Sequence, residues 1–329
     1  MSSLHRFLFE GLPVRGALVR LTDAWTEVLA RRAQGGAHPP YAPAVRDLLG
    51  ELTAAACLMQ ANIKFNGSLV LQVHGDGPVR LAVAEVGSDL SLRATATVTG
   101  DIDPGVGFAD LVNRNNQGRC AITLDPRDRL PGQQAYQGVV PLFGDRGERL
   151  DRVSLVLQHY MLQSEQLDTC LVLAADAEVA AGLLVQRLPV QGAGNLESER
   201  LRQAQEDAIG RDEDYRRIAL LASSLQRDEL LRLDADTLLR RLFWQEDVRR
   251  FDPVTGPQGP RFRCRCSRER VGRMIVGLGR SEAQDILGER GVVEVGCDFC
   301  GLQYRFDAID VERLFTPPGD APPANQPVH

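Results

Sequence analysis

The sequence predicts an α+β N-terminal domain, a helical linker and a small C-terminal domain organised by a CxxC β-hairpin. Three observations carry that expectation. Over the first 190 residues the apolar spacing alternates between steps of three to four and steps of two, without the strict strand–helix–strand order of a doubly wound sheet. Between Glu197 and Arg250 there are 13 acids and 11 arginines in 54 residues. Four of the seven cysteines, Cys264, Cys266, Cys297 and Cys300, crowd into the last fifth of the chain.

In chain order, Leu18, Leu21, Trp25 and Val28 recur at helical steps and predict an amphipathic helix ending near Arg31 and Arg32. The Gly- and Pro-rich loop AQGGAHPPYAP breaks it. Val45, Leu48, Leu49, Leu52, Ala56 and Met59 predict a second helix. From Gly67 the period is two: strands over 68–74 and 79–86 flank Gly75-Asp76-Gly77-Pro78, a hairpin turn rather than a phosphate cradle. Further strands are predicted over 91–98, 121–124 and 136–142. A helix follows through Leu150, Val153, Leu157 and Tyr160, then strands over 170–174 and 179–187. This core domain is expected over 1–190. It carries no phosphate loop, nucleophile elbow or His/carboxylate cluster, so no enzyme activity is expected.

The linker is expected over 191–252. Tyr215, Ile218, Ala222 and Leu225 mark one helix; Leu238, Leu239, Leu242 and Phe243 mark another, with Asp234 or Asp236 as N-cap. Short helices are marginal alone in water, so these are either a solvated linker or an element docked on a neighbour and released by a switch. The C-terminal unit is expected over 253–315. A tail over 316–329, with five prolines in fourteen residues, is expected to be disordered.

A chain of 329 residues with net charge −6 suits two or three folded units. That charge disfavours whole-surface attraction to nucleic acid or to an anionic membrane. The N-terminus has no uninterrupted apolar core and carries Glu10 early. No apolar run approaches the roughly 20 residues that span a bilayer. The expectation is a soluble, cytoplasmic protein with reduced thiols, and seven cysteines there are no disulfide framework.

Cys264-Arg265-Cys266, thirty intervening residues and Cys297-Asp298-Phe299-Cys300 bring four thiols as two close pairs. Each pair fixes two tetrahedral ligands with little loop-closure entropy. Four sulfurs favour Zn²⁺, with an iron–sulfur cluster as the rival. The unit is therefore expected to be a small zinc-binding domain, its CxxC turn lying between strand-like segments 292–295 and 302–306, with Gly301 permitting the tight backbone. A core of some 60 residues needs such a staple. The short CxC spacing is rarer in structural ribbons and points to a special role. A Cys264–Cys266 disulfide would close a small, strained ring, the kind that suits a reversible sensor. Arg261, Arg263, Arg265, Arg268, Arg270, Arg273 and Arg280 surround the first pair, opposed there only by Glu269. They would either stabilise a zinc tetrathiolate or form a nucleic-acid face. Eight acids against three arginines over 281–315 weigh against the latter. Cys57 and Cys170 read as core residues, Cys120 as more exposed, and His5, His38, His74, His159 and His329 as dispersed non-ligands.

The runs FRCRCSRERVGRMIVGLG and VVEVGCDFCGLQYRFDAIDVERLF strongly resemble the 33-kDa heat shock chaperone family. RFLFE at 6–10, VRGALVRL at 14–21, VRDLLGELTAAA at 45–56, GDGPVRL at 75–81, YQGVVPL at 136–142 and QSEQL at 163–167 agree. The resemblance covers 5–190 and 260–315. It implies a redox-regulated, ATP-independent holdase for unfolding clients. One zinc would be held by Cys264, Cys266, Cys297 and Cys300 in an inactive reduced state. It further implies that oxidation under stress forms disulfides Cys264–Cys266 and Cys297–Cys300, releases zinc, loosens the linker and favours a homodimer. Leu238, Leu239, Leu242, Phe243 and Trp244 are then the candidate client-binding surface.

Overall fold

The computed structural model describes residues 1–34, 39–103, 105–128, 132, 134–188 and 212–316. The first part of the expected linker and nearly all of the expected tail lie outside the described residues. By its contacts the chain divides into two compact units. One is Met1–Ala30 with Pro40–Arg263; the other is Cys264–His329 with Arg31–Pro39.

The first unit begins with β1 (Ser3–Phe9) and β2 (Val14–Leu21), then α1 (Asp23–Gln34) and α2 (Pro43–Asn62). The meander β3 (Gly67–His74), β4 (Val79–Gly87) and β5 (Ser91–Val98) follows, then α3 (Phe108–Val112), β6 (Arg119–Pro126) and β7 (Tyr136–Pro141). Next come α4 (Val153–Glu165), β8 (Thr169–Ala175) and β9 (Ala180–Arg187). The described linker adds a helix over 212–223 (α5), α6 (Arg227–Arg232), α7 (Ala235–Leu242) and three short strands, β10 (Val248–Arg250), β11 (Val254–Thr255) and β12 (Arg261–Phe262).

Two six-stranded sheets result. The first runs β10-β1-β2-β9-β8 with β11 also on β1; the second runs β12-β5-β4-β3-β6-β7. Helix α2 touches β2, β8 and β9 of the first sheet and β3, β4 and β5 of the second, so it forms the filling between them. Its closeness to the first sheet requires Gly50, where a Cβ would stand 2.4 Å from the Ala175 Cβ. The main core collects around it, from Leu49, Leu52 and Leu58 to Trp25, Leu71 and Leu92.

The first sheet is buried on both faces. Along β2, Ala17, Val19 and Leu21 join the α2 core, whereas Val14 and Leu18 join a second cluster. On β9, Leu184 belongs to the first cluster and Leu183 and Val185 to the second. The second cluster is closed by the linker: Tyr215, Ile218 and Ala222 from α5, Leu230 and Leu231 from α6, Leu238, Leu239 and Leu242 from α7, and Phe243. A strand covered on both sides has apolar residues at consecutive positions, which is what AAGLLVQR of β9 shows.

That double burial corrects the first predicted helix. Leu18 and Leu21 lie in β2, one facing each layer, and the three-residue gap between them imitates helical spacing. Only Trp25 and Val28 belong to α1. The linker holds one more helix than expected, α6, started by a capping box between Gln226 and Glu229. Asp234 caps α7, accepting from the Thr237 backbone N–H at 2.9 Å. The strands β11 and β12 extend the first unit to Arg263, past the expected boundary at 253, because they pair with β1 and β5.

Candidate metal centre

The second unit contains α8 (Arg268–Leu278), α9 (Arg280–Arg290), the hairpin β13 (Val293–Gly296) and β14 (Gln303–Phe306), and α10 (Ala308–Phe315). Its core is small: Ile275, Ala283, Val293, Tyr304, Phe306 and Val311 are the buried apolar residues. The hairpin register, Val293 to Phe306 through Gly296 to Gln303, puts residues 297–302 at the turn. There the Cys297 carbonyl accepts from the Gly301 N–H at 2.7 Å and from the Cys300 N–H at 3.3 Å. Gly301 takes φ +71°, a left-handed conformation that favours glycine. This tight turn aims Cys297 and Cys300 to one side. Cys264 and Cys266 arrive just before α8, whose first turn is capped by the Ser267 hydroxyl accepting from the Arg270 N–H at 3.3 Å.

All four Sγ atoms lie within 4.8 Å of one another, and all four side chains are part-buried. Two of the separations run across the two pairs, 3.6 Å for Cys264–Cys297 and 3.4 Å for Cys266–Cys300. Tetrahedral Zn²⁺ with Zn–S bonds near 2.3 Å requires sulfurs about 3.8 Å apart, so the donor set and its spacing fit that ion. The protonation pattern agrees. Cys264 is held down at about 4, chiefly by a hydrogen bond from Cys297, while that same bond and burial push Cys297 up. Burial raises Cys300 to about 11. A cation among the sulfurs would favour the thiolate form of each. Tyr304 also belongs to the site: its phenol is raised chiefly by its hydrogen bond with Cys266. The polar–apolar alternation of Gln303-Tyr304-Arg305-Phe306 was the sequence signal that could have found it.

Several expected phosphate- or thiolate-facing arginines are committed to the protein itself. Arg268 lies 4.2 Å over the Phe306 ring, pairs with Asp310 at 2.6 Å and donates to the Arg305 carbonyl at 2.7 Å. Arg280 pairs with Glu312 at 3.2 Å, and Arg270 donates to the Arg265 carbonyl at 2.8 Å. In the first unit Arg261 and Arg263 both reach Asp89, at 2.9 and 3.8 Å.

Among the described residues the four thiols are the one His/Cys/carboxylate group close enough to share an ion, so His5, His74 and His159 stay apart from it. His38 and His329 lie outside the described residues. Cys57 and Cys120 are fully buried, and burial pushes both up to about 12. Cys120 was expected to be more exposed. Instead it faces inward from β6 in the main core. Cys170, raised to about 11, donates to the Ala219 carbonyl of α5 at 3.6 Å.

The candidate client surface is divided. Leu238, Leu239, Leu242 and Phe243 are buried in the second cluster, while Trp244 is 72 % exposed. The linker is held there by contacts that sequence reading missed. Arg20 of β2 donates to the carbonyls of Leu230, Leu231 and Leu233 at 3.2, 2.6 and 3.2 Å. Arg227 pairs with Asp47 at 2.9 Å and donates to the Ala175 carbonyl.

Fold and thiol cluster define a mixed α/β protein that carries a separate unit whose four clustered cysteines could hold a metal ion. The profile of the Hsp33 protein family matches residues 2–307. The chain is 45% identical over 312 residues to a 33 kDa chaperonin of Chromobacterium violaceum, covering 95% of this chain and 93% of that one. A 33 kDa chaperonin of Methylobacillus flagellatus is 44% identical over 314 residues, with 95% and 94% covered. The crystal structure of a 33 kDa chaperonin from Thermotoga maritima shares the fold, with TM-score 0.68 at 21% identity and 95% and 97% covered. The chain belongs to the Hsp33 family, a family of chaperones. No helix among the described residues is long and apolar enough to cross a membrane.

Proposed function

We propose that this protein is a redox-gated, ATP-independent holdase that protects unfolding proteins from aggregation in the cytoplasm. The carrying observation is the cluster of four Sγ atoms within 4.8 Å in a unit whose core, among the described residues, is a handful of buried apolar side chains. Cys264, Cys266, Cys297 and Cys300 would hold Zn²⁺, which when bound keeps the sulfurs as thiolates and ties α8 to the hairpin. Structural zinc in small domains contributes on the order of 10–16 kcal/mol of apparent binding energy, and that energy is folding energy. The unit is inactive in this closed state.

Peroxide is the oxidant class. Two thiolates give up two electrons, an S–S bond forms, and the O–O bond breaks to two hydroxide ions. The pairs are Cys264 with Cys266 and Cys297 with Cys300, each within one segment, so that neither disulfide ties the two segments together. Disulfide sulfurs no longer serve as thiolate ligands, and the unit loses its staple. Chain connectivity carries the effect onward. Arg263 alone separates β12 from Cys264, and β10, β11 and β12 are strands of two or three residues. Their loss strips support from a linker whose Leu238, Leu239, Leu242 and Phe243 then leave the sheet. The uncovered surfaces, with Trp244, bind client and pair two copies of the chain. The division of labour is a core over 1–190, a linker over 191–252 and a sensor over 253–315, whose thiol-bearing part begins at Cys264.

The test pairs chemistry with activity. Peroxide treatment of reduced, zinc-loaded protein is expected to release about one equivalent of zinc, to remove about four free thiols, and to switch on suppression of aggregation of a heat-unfolded test protein. Equal protection before and after oxidation would refute the gate.

A further inference from the structure

At the end of α2 the two sheets part and leave a cavity of about 110 Å³. An enclosed apolar space of about 150 Å³ accommodates a benzene ring; this one is smaller but open on one side, so a small ring or a short alkyl chain can seat in it with its polar end toward the opening. Its wall is Met59, Ile63, Leu69, Ile122, Leu124 and Leu184. The polar side chains on the lining are Arg15, Asn62, Tyr160, Glu165 and Gln186.

All of these but Arg15 are already committed, Asn62 donating to the Leu58 carbonyl at 2.8 Å. The Glu165 carboxylate accepts from the Tyr160 hydroxyl at 2.7 Å and from the Tyr136 hydroxyl at 3.5 Å. The Gln186 amide donates to the Thr169 hydroxyl at 2.8 Å. Arg15 differs. Its guanidinium donates through Nε, at 3.1 Å, and one terminal nitrogen to a single acceptor, the neutral Gln186 carbonyl oxygen. It forms no ion pair among the described residues, and burial alone lowers its pKa, with no carboxylate acting against it. A guanidinium stays charged in any protein and has five N–H donors in a planar fork. Here a part-buried cation with spare donors lines an apolar cavity.

We propose that this cavity is a binding site for a small aryl or short-chain alkyl monocarboxylate. The ring or chain fills the apolar space and the carboxylate completes the guanidinium fork. Burial of the apolar group supplies affinity, and the charge-assisted pair selects carboxylate over neutral analogues. The site is separate from the thiol cluster and from the docked linker residues.

The chain's four methionines provide the readout, since Met59 and Met161 line the cavity and Met1 and Met274 do not. Reduced, zinc-loaded full-length protein carrying ¹³C-methyl methionine is titrated with benzoate and with hexanoate. The Met59 and Met161 methyl signals are expected to move, saturating below about 10 mM, while those of Met1 and Met274 stay. Benzamide and benzyl alcohol should bind about tenfold more weakly, and Arg15→Gln should lower benzoate affinity about tenfold without changing that for benzyl alcohol. No shift at Met59 and Met161, benzamide as tight as benzoate, or benzylamine tighter than benzoate, which would make Glu165 the anchor, each overturns the site. The wild-type titrations decide the question even if Arg15→Gln does not fold.

Discussion

The Phe243 ring stands edge-on to the Phe9 ring, centroids 5.0 Å apart and planes at 88°. Phe7 completes an aromatic triad, 6.0 Å from Phe243 and 5.7 Å from Phe9. This aromatic contact joins the C-cap of α7 to β1, so the last helical turn of the linker is fixed to the first strand of the chain. An aromatic pair of this geometry adds about 0.5–1.5 kcal/mol to the burial of its area.

Phe243→Ala should therefore uncouple the linker without touching a thiol. Deleting a buried Phe costs about 3–5 kcal/mol. The expected outcome is faster amide exchange across α6 and α7 and protection of a heat-unfolded client at lower oxidant doses. Trp244→Ala, at a neighbouring but exposed side chain, should change stability by less than about 0.5 kcal/mol. Hydrogen-exchange mass spectrometry on both variants separates the two.

Arg20→Gln removes three donors from the carbonyls of Leu230, Leu231 and Leu233. These carbonyls lie in and just after the last turn of α6, where C=O groups have no helical partner. With charge-assisted bonds worth about 1.5–3 kcal/mol each against water, and some recovery by solvent, the linker should loosen by about 2 kcal/mol. Trypsin cleavage at Arg232 should then outpace cleavage at Arg152 of the core. Unchanged cleavage would show that the apolar stripe alone holds the linker.

How much of this was legible in the sequence depends on range. The clustering of the four cysteines was readable because each pair is local, and Gly301 marked the turn. The strands beside Gly75-Asp76-Gly77-Pro78 were readable because a half-covered meander keeps a clean period of two. β1 and the Leu18–Leu21 stretch were not, because a sheet covered on both faces mixes the periods. The clamp between Arg20 and α6 spans more than 200 residues of sequence, and no local pattern reports such a contact. The strands β11 and β12 are two residues each and exist only by pairing with β1 and β5.

Thiol reactivity should divide the cysteines. Cys57 and Cys120, raised by burial to about 12, should stay silent toward a disulfide reagent at pH 8 until the core unfolds. Chelating the metal should expose four reactive thiols at Cys264, Cys266, Cys297 and Cys300, and collapse the near-ultraviolet signal of Tyr304. Cys297→Ser should weaken zinc binding by orders of magnitude and unfold the second unit at ambient temperature, leaving the far-ultraviolet signal of the two-sheet core in place. A chelated protein with an intact Tyr304 signal would mean that the unit folds without its ion.

The linker's docking should also depend on pH through Glu51 of α2. Burial, with the Asp47 charge adding to it, raises this carboxyl from 4.5 to about 7, and Arg227 and Arg152 pull the other way. Glu51 shares a cleft with Asp47, Asp151, Arg152 and Arg227, closed on one side by Ser223, Leu225 and Gln226 of the linker. The part of this burial that Ser223, Leu225 and Gln226 supply makes the docked state bind the proton more tightly than the open one, while the linker's Arg227 works the other way. The docked state's stabilisation is full below about 4.5, falls as pH rises through the window, and is gone above about 7. Because Glu51 keeps some solvent access, the effect is discounted to about 1–2 kcal/mol. Glu51→Gln, neutral at every pH, should stabilise docking by that amount at pH 8 and leave it unchanged at pH 4.5. Amide exchange of residues 212–243 at the two pH values, corrected for the intrinsic rate, measures it. Equal protection of variant and wild type at pH 8 would assign the cleft no part in holding the linker.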